Sequence, residues 1–308
     1  MKKSEIRKHY FLDRYVIFSP KRNLRPQSIS EEDRQKKENA KECCFFCPEK
    51  LEAKPIYKVG KGKKWDIAVI PNKFPALTLE NKKAYGKQEI VIEAPEHRKE
   101  LSDLSIDHIS KVLEVYEQRS GYLSKIKDIK YVLVFKNDGG KAGASVPHAH
   151  SQIYALPIIP PEIKGISDAI DNYQLNCGRC PFCDVIKKEM KEKARVAYEN
   201  EHFIAISPYA SSSAYGVWIM PKKHIRRIQD LNKNELRCLA QTLKHILKKL
   251  DDIDLPYNFF IHNSLDTESH HFRLKVVPRL TIWAGLELGS GIIINPVFPE
   301  EAARFYRG

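Results

Sequence analysis

Two histidines separated by one residue and followed by a glutamine are the side chains best suited to chemistry in this chain. His148, His150 and Gln152 follow a Gly-rich turn and lead into an apolar run, so we predict a strand from His148 on. Alternation along a strand places the three side chains on one face. An imidazole can attack phosphorus, and an amide can donate a hydrogen bond to a phosphoryl oxygen. The pattern therefore favours phosphate chemistry, and the simpler alternative is a strand with its polar face in solvent.

The cysteines indicate bound metal. Six of the seven fall into two tight clusters, and an odd number argues against a disulfide framework. Two cysteines separated by two residues and joined by two histidines form a structural zinc pattern. Cys43 and Cys177 are alternative ligands, while an iron–sulfur cluster would need further cysteines nearby. The two predicted zinc sets are Cys44, Cys47, His97 and His148, and Cys180, Cys183, His224 and His271.

These sets are placed by an internal repeat. Each half contains a C-x-x-C, a strand-like run closed by Pro and His, a helical stretch, an apolar strand that ends in Asn, and a His-x-His or His-x-Arg motif. Each unit therefore predicts an α+β fold with several antiparallel strands and one long helix. We predict that Ser105 caps the first helix and that Asn232 with Glu235 forms a capping box on the second. The segment 157–176, with three prolines near its start, is the predicted linker between units 1–160 and 161–308.

The repeat assigns different tasks to the two histidines of the first unit. His148 is a metal ligand, so it anchors the motif, while His150 is left free and rigidly held, as a nucleophile must be. At the matching place the second unit carries Arg273. A guanidinium stays protonated and cannot attack phosphorus. The second unit is therefore predicted to keep the metal site and to lack the nucleophile.

Composition limits the remaining classes of function. The chain has 308 residues, 42% hydrophobic and 30% charged, and no apolar run long enough for a membrane span. Its start, residues 1–7, lacks the apolar run of a signal peptide, so a cytoplasmic location is expected. The net charge of +13 arises from interleaved Lys and Glu, without a basic block that would indicate nucleic-acid binding. A basic surface that attracts small phosphorylated substrates fits better.

Together these motifs resemble the galactose-1-phosphate uridylyltransferase family of the histidine-triad superfamily. The resemblance covers nearly the whole chain. It is carried by the segment 19–26, the first C-x-x-C, the segment 71–76, the H-x-H-x-Q motif and Ile294-Asn295-Pro296.

The resemblance implies two half-barrels, a homodimer with sites near the subunit interface, and zinc at two sites. It implies that His150 attacks the α-phosphorus of UDP-glucose and that Gln152 binds a phosphoryl oxygen. Glucose 1-phosphate then leaves, and galactose 1-phosphate takes the uridylyl group. The positions that match nucleotide-binding residues are Asn72, Lys73, Asn137, Gly143 and Ser145; Arg22 and Arg25 match phosphate-binding arginines, and Glu287 matches a hexose contact.

Some residues point to a different substrate. Ala149 stands where the uridylyltransferases usually have proline, and the stretches 148–152 and 294–300 also resemble a plant relative that phosphorolyses ADP-glucose. We expect UDP-glucose and galactose 1-phosphate as substrates, with a nucleotide-sugar phosphorylase or hydrolase as the alternative. A zinc-stabilised nucleic-acid-binding module is the third hypothesis, from a different class.

Overall fold

The computed structural model describes residues 3–24, 44–60, 64–97, 99–265 and 270–308. Strands dominate these segments, and two long helices lie on one side of them. The strands are β1 (Glu5–Lys8), β2 (Tyr15–Phe18), β3 (Tyr57–Val59), β4 (Ile67–Pro71), β5 (Lys87–Ile92), β6 (Tyr131–Asp138), β7 (His150–Leu156), β8 (Val196–Glu199), β9 (Phe203–Ile206), β10 (Val217–Pro221), β11 (Tyr257–His262), β12 (Arg273–Pro278) and β13 (Ile293–Asn295). The helices are α1 (Ile106–Leu123), α2 (Pro161–Cys177), α3 (Pro181–Glu192), α4 (Lys233–Asp251), α5 (Gly285–Ser290) and α6 (Pro299–Arg307).

Ten strands form one antiparallel sheet in which the two halves of the chain meet. The strand order is β3-β4-β5-β7-β6-β11-β12-β10-β9-β8. β6 of the first half pairs with β11 of the second, with Asn137 opposite Asn258 and Phe135 opposite Phe260. The predicted α+β fold is confirmed, and the two repeated sheets continue into each other through this pair.

The two faces of the sheet are covered differently. Helices α1 and α4 pack on one face and build the largest core, which includes Tyr116, Leu243, Ile153 and Leu274. Both helices begin as predicted. The Ser105 side chain accepts a hydrogen bond from the His108 N–H at 3.2 Å, and Asn232 and Glu235 form the capping box.

The opposite face is covered by different segments in the two halves. In the first half, the segment that holds Cys44, Phe46 and Cys47 packs on it in a cluster with Ala68 and Ile92. Over the second half, α2 and α3 pack on the sheet through a cluster that includes Ile170, Phe182 and Trp218, with Tyr10 and Phe11 at its edge. The predicted linker is irregular only at its start, where Pro157 and Pro160 lie between β7 and α2; from Pro161 on, it forms helix α2 and is not a linker. Pro161 occupies its first turn, where a missing N–H costs no hydrogen bond.

The N-terminal strands lie beside the second half of the chain. β1 and β2 form an antiparallel pair, and β13 adds to β2 in parallel. Arg7 Nη1 donates to Glu300 Oε1 at 2.9 Å, and the Tyr10 hydroxyl donates to Glu189 Oε1 at 2.7 Å. No helix among the described segments is long and apolar enough to cross a membrane.

Candidate active site and metal centres

The first group of cysteines and histidines comes together where β4, β5 and the start of β7 meet. Cys44 Sγ lies 3.5 Å from His148 Nδ1, and Cys47 Sγ lies 3.5 Å from His97 Nδ1 and 3.7 Å from His148 Nδ1. The His148 Nε2 lies 2.8 Å from the Ala94 carbonyl oxygen. That hydrogen bond places the proton on Nε2, so Nδ1 presents its lone pair to the thiols.

The second group repeats this arrangement. Cys183 Sγ lies 3.3 Å from His224 Nδ1 and 3.6 Å from His271 Nδ1. His271 Nε2 lies 2.9 Å from the Pro221 carbonyl oxygen, which again leaves Nδ1 as the ligand atom. With Cys180, the four ligand atoms lie within 4.8 Å of one another, as they do in the first group. Both predicted sets are therefore assembled as metal-binding groups.

The spacing of the ligand atoms fits a tetrahedral zinc ion. Bonds of about 2.3 Å to sulfur and 2.0–2.1 Å to nitrogen at tetrahedral angles put S and N about 3.6 Å apart. The sulfur–nitrogen distances in the two groups run from 3.3 to 3.7 Å. The donor set and its size therefore suit zinc. Of the alternative ligands, Cys177 is outside the second group, and Cys43 lies outside the described residues.

His150 begins strand β7, two residues later than the predicted start of the strand. His148 therefore lies just before the strand, and the alternation argument holds only for His150 and Gln152. The side chain of His150 is 6% exposed, and its Nδ1 lies 2.8 Å from the His148 carbonyl oxygen. Nδ1 thus donates to that carbonyl, and Nε2 carries the available lone pair. Burial lowers the pKa of His150, although the bond to the carbonyl opposes this, so the imidazole is kept neutral.

A buried charged network beneath β7 was missed by the sequence analysis. Lys136 Nζ donates to Glu93 Oε2 at 2.8 Å and to the His150 carbonyl oxygen at 3.4 Å. Glu93 also accepts from the Tyr116 hydroxyl at 2.7 Å, and the Ser151 hydroxyl donates to Tyr116 at 2.8 Å. The available signal was a charged residue within each of two apolar strand runs. This network fixes the backbone that carries the imidazole.

The predicted nucleotide-binding residues fall into two groups. Asn137 and Gly143 lie beside β7, the strand that begins with His150. Asn137 is in β6, which pairs with β7. Gly143 is close to Asn137, because a Cβ atom added to Gly143 would lie 3.8 Å from the Asn137 amide nitrogen. Asn258 Nδ2 donates to Asn137 Oδ1 and to the Ala142 carbonyl, each at 2.8 Å. Gly143 has φ +87°, a conformation that favours glycine.

The other predicted contacts lie at the edges of this site. Ser145 is exposed in the turn before His148. Asn72 and Lys73 follow β4; Asn72 accepts from the Phe74 N–H at 2.9 Å, and exposed Lys73 pairs with Glu52 at 3.3 Å. Of the predicted nucleotide contacts, Asn137 and Gly143 therefore lie on the strand and turn beside β7, whereas Asn72 and Lys73 follow β4 and Ser145 lies in the exposed turn before His148.

Arg22 and Glu287 belong to a separate neighbourhood beside the three-stranded sheet. Glu287 accepts a hydrogen bond from the Ala284 N–H at 2.9 Å, at the start of α5. Burial acts to raise the pKa of Glu287, but backbone N–H groups and the charge of Arg22 lower it overall. Within the described chain no hydrogen bond or ion pair joins either residue to His150. Arg25 lies outside the described residues.

The second half carries Arg273 at the place predicted for the missing nucleophile. Its guanidinium is 6% exposed and lies 4.7 Å from the centre of the Phe182 ring. Burial lowers the pKa of Arg273 to about 10, which leaves it charged at neutral pH. This side chain offers a fixed positive charge instead of a lone pair.

The doubled antiparallel sheet, with its two Cys2His2 groups and the buried imidazole of His150, matches that of nucleotidyltransferases. The chain belongs to the galactose-1-phosphate uridyl transferase family. Residues 68–160 match the model of its N-terminal domain, and residues 167–282 match that of its C-terminal domain. The resemblance noted from the motifs is thereby confirmed.

The relatives include two activities. The chain is 35% identical to an ADP-glucose phosphorylase of Arabidopsis thaliana, over 98% of this chain and 92% of that protein. It is 30% identical to a galactose-1-phosphate uridylyltransferase of Thermotoga maritima, over 98% of each chain. Among solved structures, an ADP-glucose phosphorylase from Arabidopsis thaliana with bound ADP-glucose matches with a TM-score of 0.88 and 33% identity, over 99% of this chain and 98% of that one.

Proposed function

We propose that this chain transfers a nucleotidyl group from a nucleotide sugar through a covalent bond to Nε2 of His150. The observation that carries the proposal is the hydrogen bond from His150 Nδ1 to the His148 carbonyl, at 2.8 Å, in a side chain that is almost fully buried. It orients Nε2, keeps its lone pair available and fixes the ring before attack. Family membership supports the same chemistry.

The steps require only groups of this chain and its substrates. The Nε2 lone pair forms a bond to the α-phosphorus, and the bond from that phosphorus to the bridging oxygen breaks. The sugar phosphate leaves with the electron pair. The nucleotidyl-imidazole carries a positive charge, which the Nδ1 hydrogen bond to the His148 carbonyl stabilises. An acceptor oxygen then attacks the same phosphorus, and Nε2 leaves with its electron pair.

Gln152 is proposed to hold a phosphoryl oxygen during both steps. It lies two residues after His150 in β7, so both side chains emerge on the face of the sheet that is opposite α1 and α4. Asn137, two residues after Phe135 in β6, brings an amide to the same face, because Phe135 lies opposite Gln152. Amide donors fixed before the reaction stabilise the charge that develops on phosphoryl oxygens.

Zinc is proposed at both Cys2His2 groups, with Cys44, Cys47, His97 and His148 in the first and Cys180, Cys183, His224 and His271 in the second. Four protein ligands close such a site, so the ion stabilises the fold and takes no part in the transfer. The first ion would secure the residue two positions before the nucleophile.

For the donor and acceptor, we propose ADP-glucose and phosphate as the first candidate. It is supported by the 35% identity and the TM-score of 0.88 to ADP-glucose phosphorylases. Ala149 and the segment 294–300, which resemble the plant relative, support it too. UDP-glucose with galactose 1-phosphate, expected from the motifs, is the second candidate. It is supported by the Thermotoga maritima uridylyltransferase, which matches over 98% of each chain.

The test of the nucleophile is covalent labelling. His150→Asn should abolish acid-labile labelling by a nucleotide sugar carrying radioactive α-phosphorus, while its metal content and melting temperature stay near those of the wild type. The matched control is His202→Asn, in the second half, which should label normally. Label trapped on His150→Asn would exclude His150 as the nucleophile.

The test of the substrates uses the labelled enzyme. Wild-type protein is exposed to ADP-glucose or UDP-glucose, separated from free nucleotide, and mixed with phosphate or galactose 1-phosphate. Loading by ADP-glucose and release of ADP by phosphate would support the first candidate. Loading by UDP-glucose and release of UDP-galactose would replace it with the second.

Three further expectations stand as proposals. We propose that units 1–160 and 161–308 are the domains, that the protein is a homodimer, and that it acts in the cytoplasm on nucleotide sugars and sugar phosphates without a nucleic-acid partner. Light scattering on the purified protein measures the dimer directly.

A further inference from the structure

A cavity in the second half lies on the same face of the sheet as His150. It is walled by β10 and β12, the loop after β9, helix α2 and the turn between β1 and β2. The volume of the cavity is about 40 Å³. One water needs about 10–15 Å³ on this measure, so the cavity has room for about three waters or one small oxyanion.

The charged side chains that line the cavity are mainly cations. Arg14, Arg273 and Lys275 face a single carboxylate, Glu162. Arg14 Nη1 pairs with Glu162 at 3.3 Å, and these two side chains are 41% and 50% exposed, so they mark the mouth of the cavity. Deeper inside, Arg273 and Lys275 have no carboxylate within ion-pair distance among the described residues. With three cations facing one carboxylate, the lining of the cavity therefore carries a net positive charge.

Arg273 is the strongest indication of a missing partner. Its side chain is 6% exposed, and its close contacts in the described chain are the faces of Phe182 and Trp218, at 4.7 and 5.9 Å from the ring centres. Ring faces hold a cation in place but leave its in-plane N–H groups unpaired. His262, which lies opposite Arg273 in the β11–β12 register, also has a buried Nδ1 without a hydrogen-bond partner.

The register of the sheet explains why these groups converge. Along one line across the sheet, Gln152 lies opposite Phe135, Phe135 opposite Phe260, and Phe260 opposite Lys275. Residues paired in this way point to the same face. Lys275 therefore takes the place in β12 that Gln152 has in β7, and Arg273 takes that of His150. The second half keeps the geometry of a phosphate site and replaces its attacking group with fixed charge.

We infer that this cavity is a second oxyanion site, which binds a phosphoryl group between Arg273 and Lys275 without reacting with it. The group can come from inorganic phosphate or from the end of a sugar phosphate. A buried cation is costly unless an opposite charge pairs with it, and water would satisfy the N–H groups without cancelling the charge. A planar guanidinium also matches phosphate oxygens bidentately.

The experiment measures anion binding without turnover, so it stands apart from nucleotidyl transfer. Equilibrium dialysis with radioactive phosphate, and separately with radioactive glucose 1-phosphate, is carried out on wild-type protein and on Arg273→Gln, Arg273→Lys and Lys275→Gln. The matched control, Lys233→Gln, removes one exposed charge from α4 on the opposite face of the sheet. Melting temperature and metal content are recorded for every variant, because Arg273 lies near the metal ligand His271.

We expect saturable binding of at least one of the two anions that weakens tenfold or more in both glutamine variants and is unchanged in the control. Arg273→Lys, which keeps the charge and loses the planar fork, should weaken binding less than Arg273→Gln. Tight binding of inorganic phosphate alone identifies a closed site, and equal binding of glucose 1-phosphate identifies an open one. If Arg273→Gln does not fold, the comparison of Lys275→Gln with Lys233→Gln decides the matter. Binding of neither anion, or equal affinity in the cavity variants and the control, would overturn the inference.

Discussion

The buried pair of Lys136 and Glu93 gives the sharpest stability prediction. Lys136 is 1% exposed and Glu93 is fully buried, with the Nζ–Oε2 distance at 2.8 Å. Lys136→Met removes the ammonium and leaves the Glu93 carboxylate with the Tyr116 hydroxyl as its remaining described partner. Removing one partner of a buried ion pair costs about 3–5 kcal/mol, because the other charge stays buried without compensation. We expect a loss of that size in the free energy of unfolding.

The second half of the cycle separates this cost from the value of the pair. Glu93→Gln should cost less, about 1.5–3 kcal/mol, because Lys136 keeps Glu100 at 3.5 Å. The double variant should be no less stable than Lys136→Met alone. Both charges of the buried pair are then absent, so no carboxylate is left at position 93 without its ammonium partner. Each free energy comes from urea unfolding followed by fluorescence and circular dichroism.

The matched control is Lys111→Met. Lys111 pairs with Asp66 at 3.4 Å, but both side chains are about half exposed, so the loss should stay below about 1 kcal/mol. If Lys136→Met costs no more than this control, or if the two single losses simply add in the double variant, the argument from burial is refuted.

Two further predictions follow from the metal groups and from a buried carboxyl. Cys47→Ala should lower the bound metal from two ions to one per chain by elemental analysis and lower the melting temperature, whereas Cys238→Ala, a buried free cysteine in α4, should keep both ions. Burial raises the pKa of Asp138 from 3.8 to about 8, so the folded state holds a proton that the unfolded chain releases. Stability should therefore fall as pH rises between about 4 and 8, by up to about 1.4 kcal/mol per pH unit. Urea unfolding of wild type and Asp138→Asn at pH 5 and pH 7 should show this slope in the wild type and a smaller one in the variant.

The sequence alone could predict the features that repeat. Three features appear twice at matching spacing: the metal-ligand sets, the capping residues Ser105 and Asn232, and the helical stretches. A pattern that occurs twice in one chain is hard to produce by chance. Local rules sufficed because each of these features depends on residues near one another in the sequence or on a ligand chemistry with few alternatives. The exact start of β7 was beyond those rules, because a hydrogen-bonded ladder sets it and His148 is held by Ala94 instead.

The features that could not be predicted depend on contacts between distant segments. Lys136 appears in the sequence as one charge in an apolar strand, and only the sheet register brings it to Glu93, 43 positions away. The prolines near 160 interrupt the structure between β7 and α2, but the linker predicted beyond them is wrong, because the buried face of α2, which includes Ile163 and Ile170, makes a helix the more stable outcome. Tertiary burial decided in both cases, and no local pattern reports it.

The difference between the two halves is therefore a matter of what covers one face of a shared sheet. The turn between β1 and β2 packs on the second half. Its Phe11 lies edge-on to Phe182 at 5.0 Å, and its Tyr10 lies 5.9 Å from Trp218. Tyr10 also donates a hydrogen bond to Glu189, which lies 179 positions further along the chain, and this bond fixes the turn against α3. The rings of Phe182 and Trp218 lie against Arg273, whereas at the matching place in the first half the ring of Phe46 lies 5.1 Å from that of His150. The two halves therefore share one sheet and one pattern of metal ligands, and they differ in the segments that pack on the shared face: the turn between β1 and β2 with α2 and α3 in the second half, and the segment around Phe46 in the first.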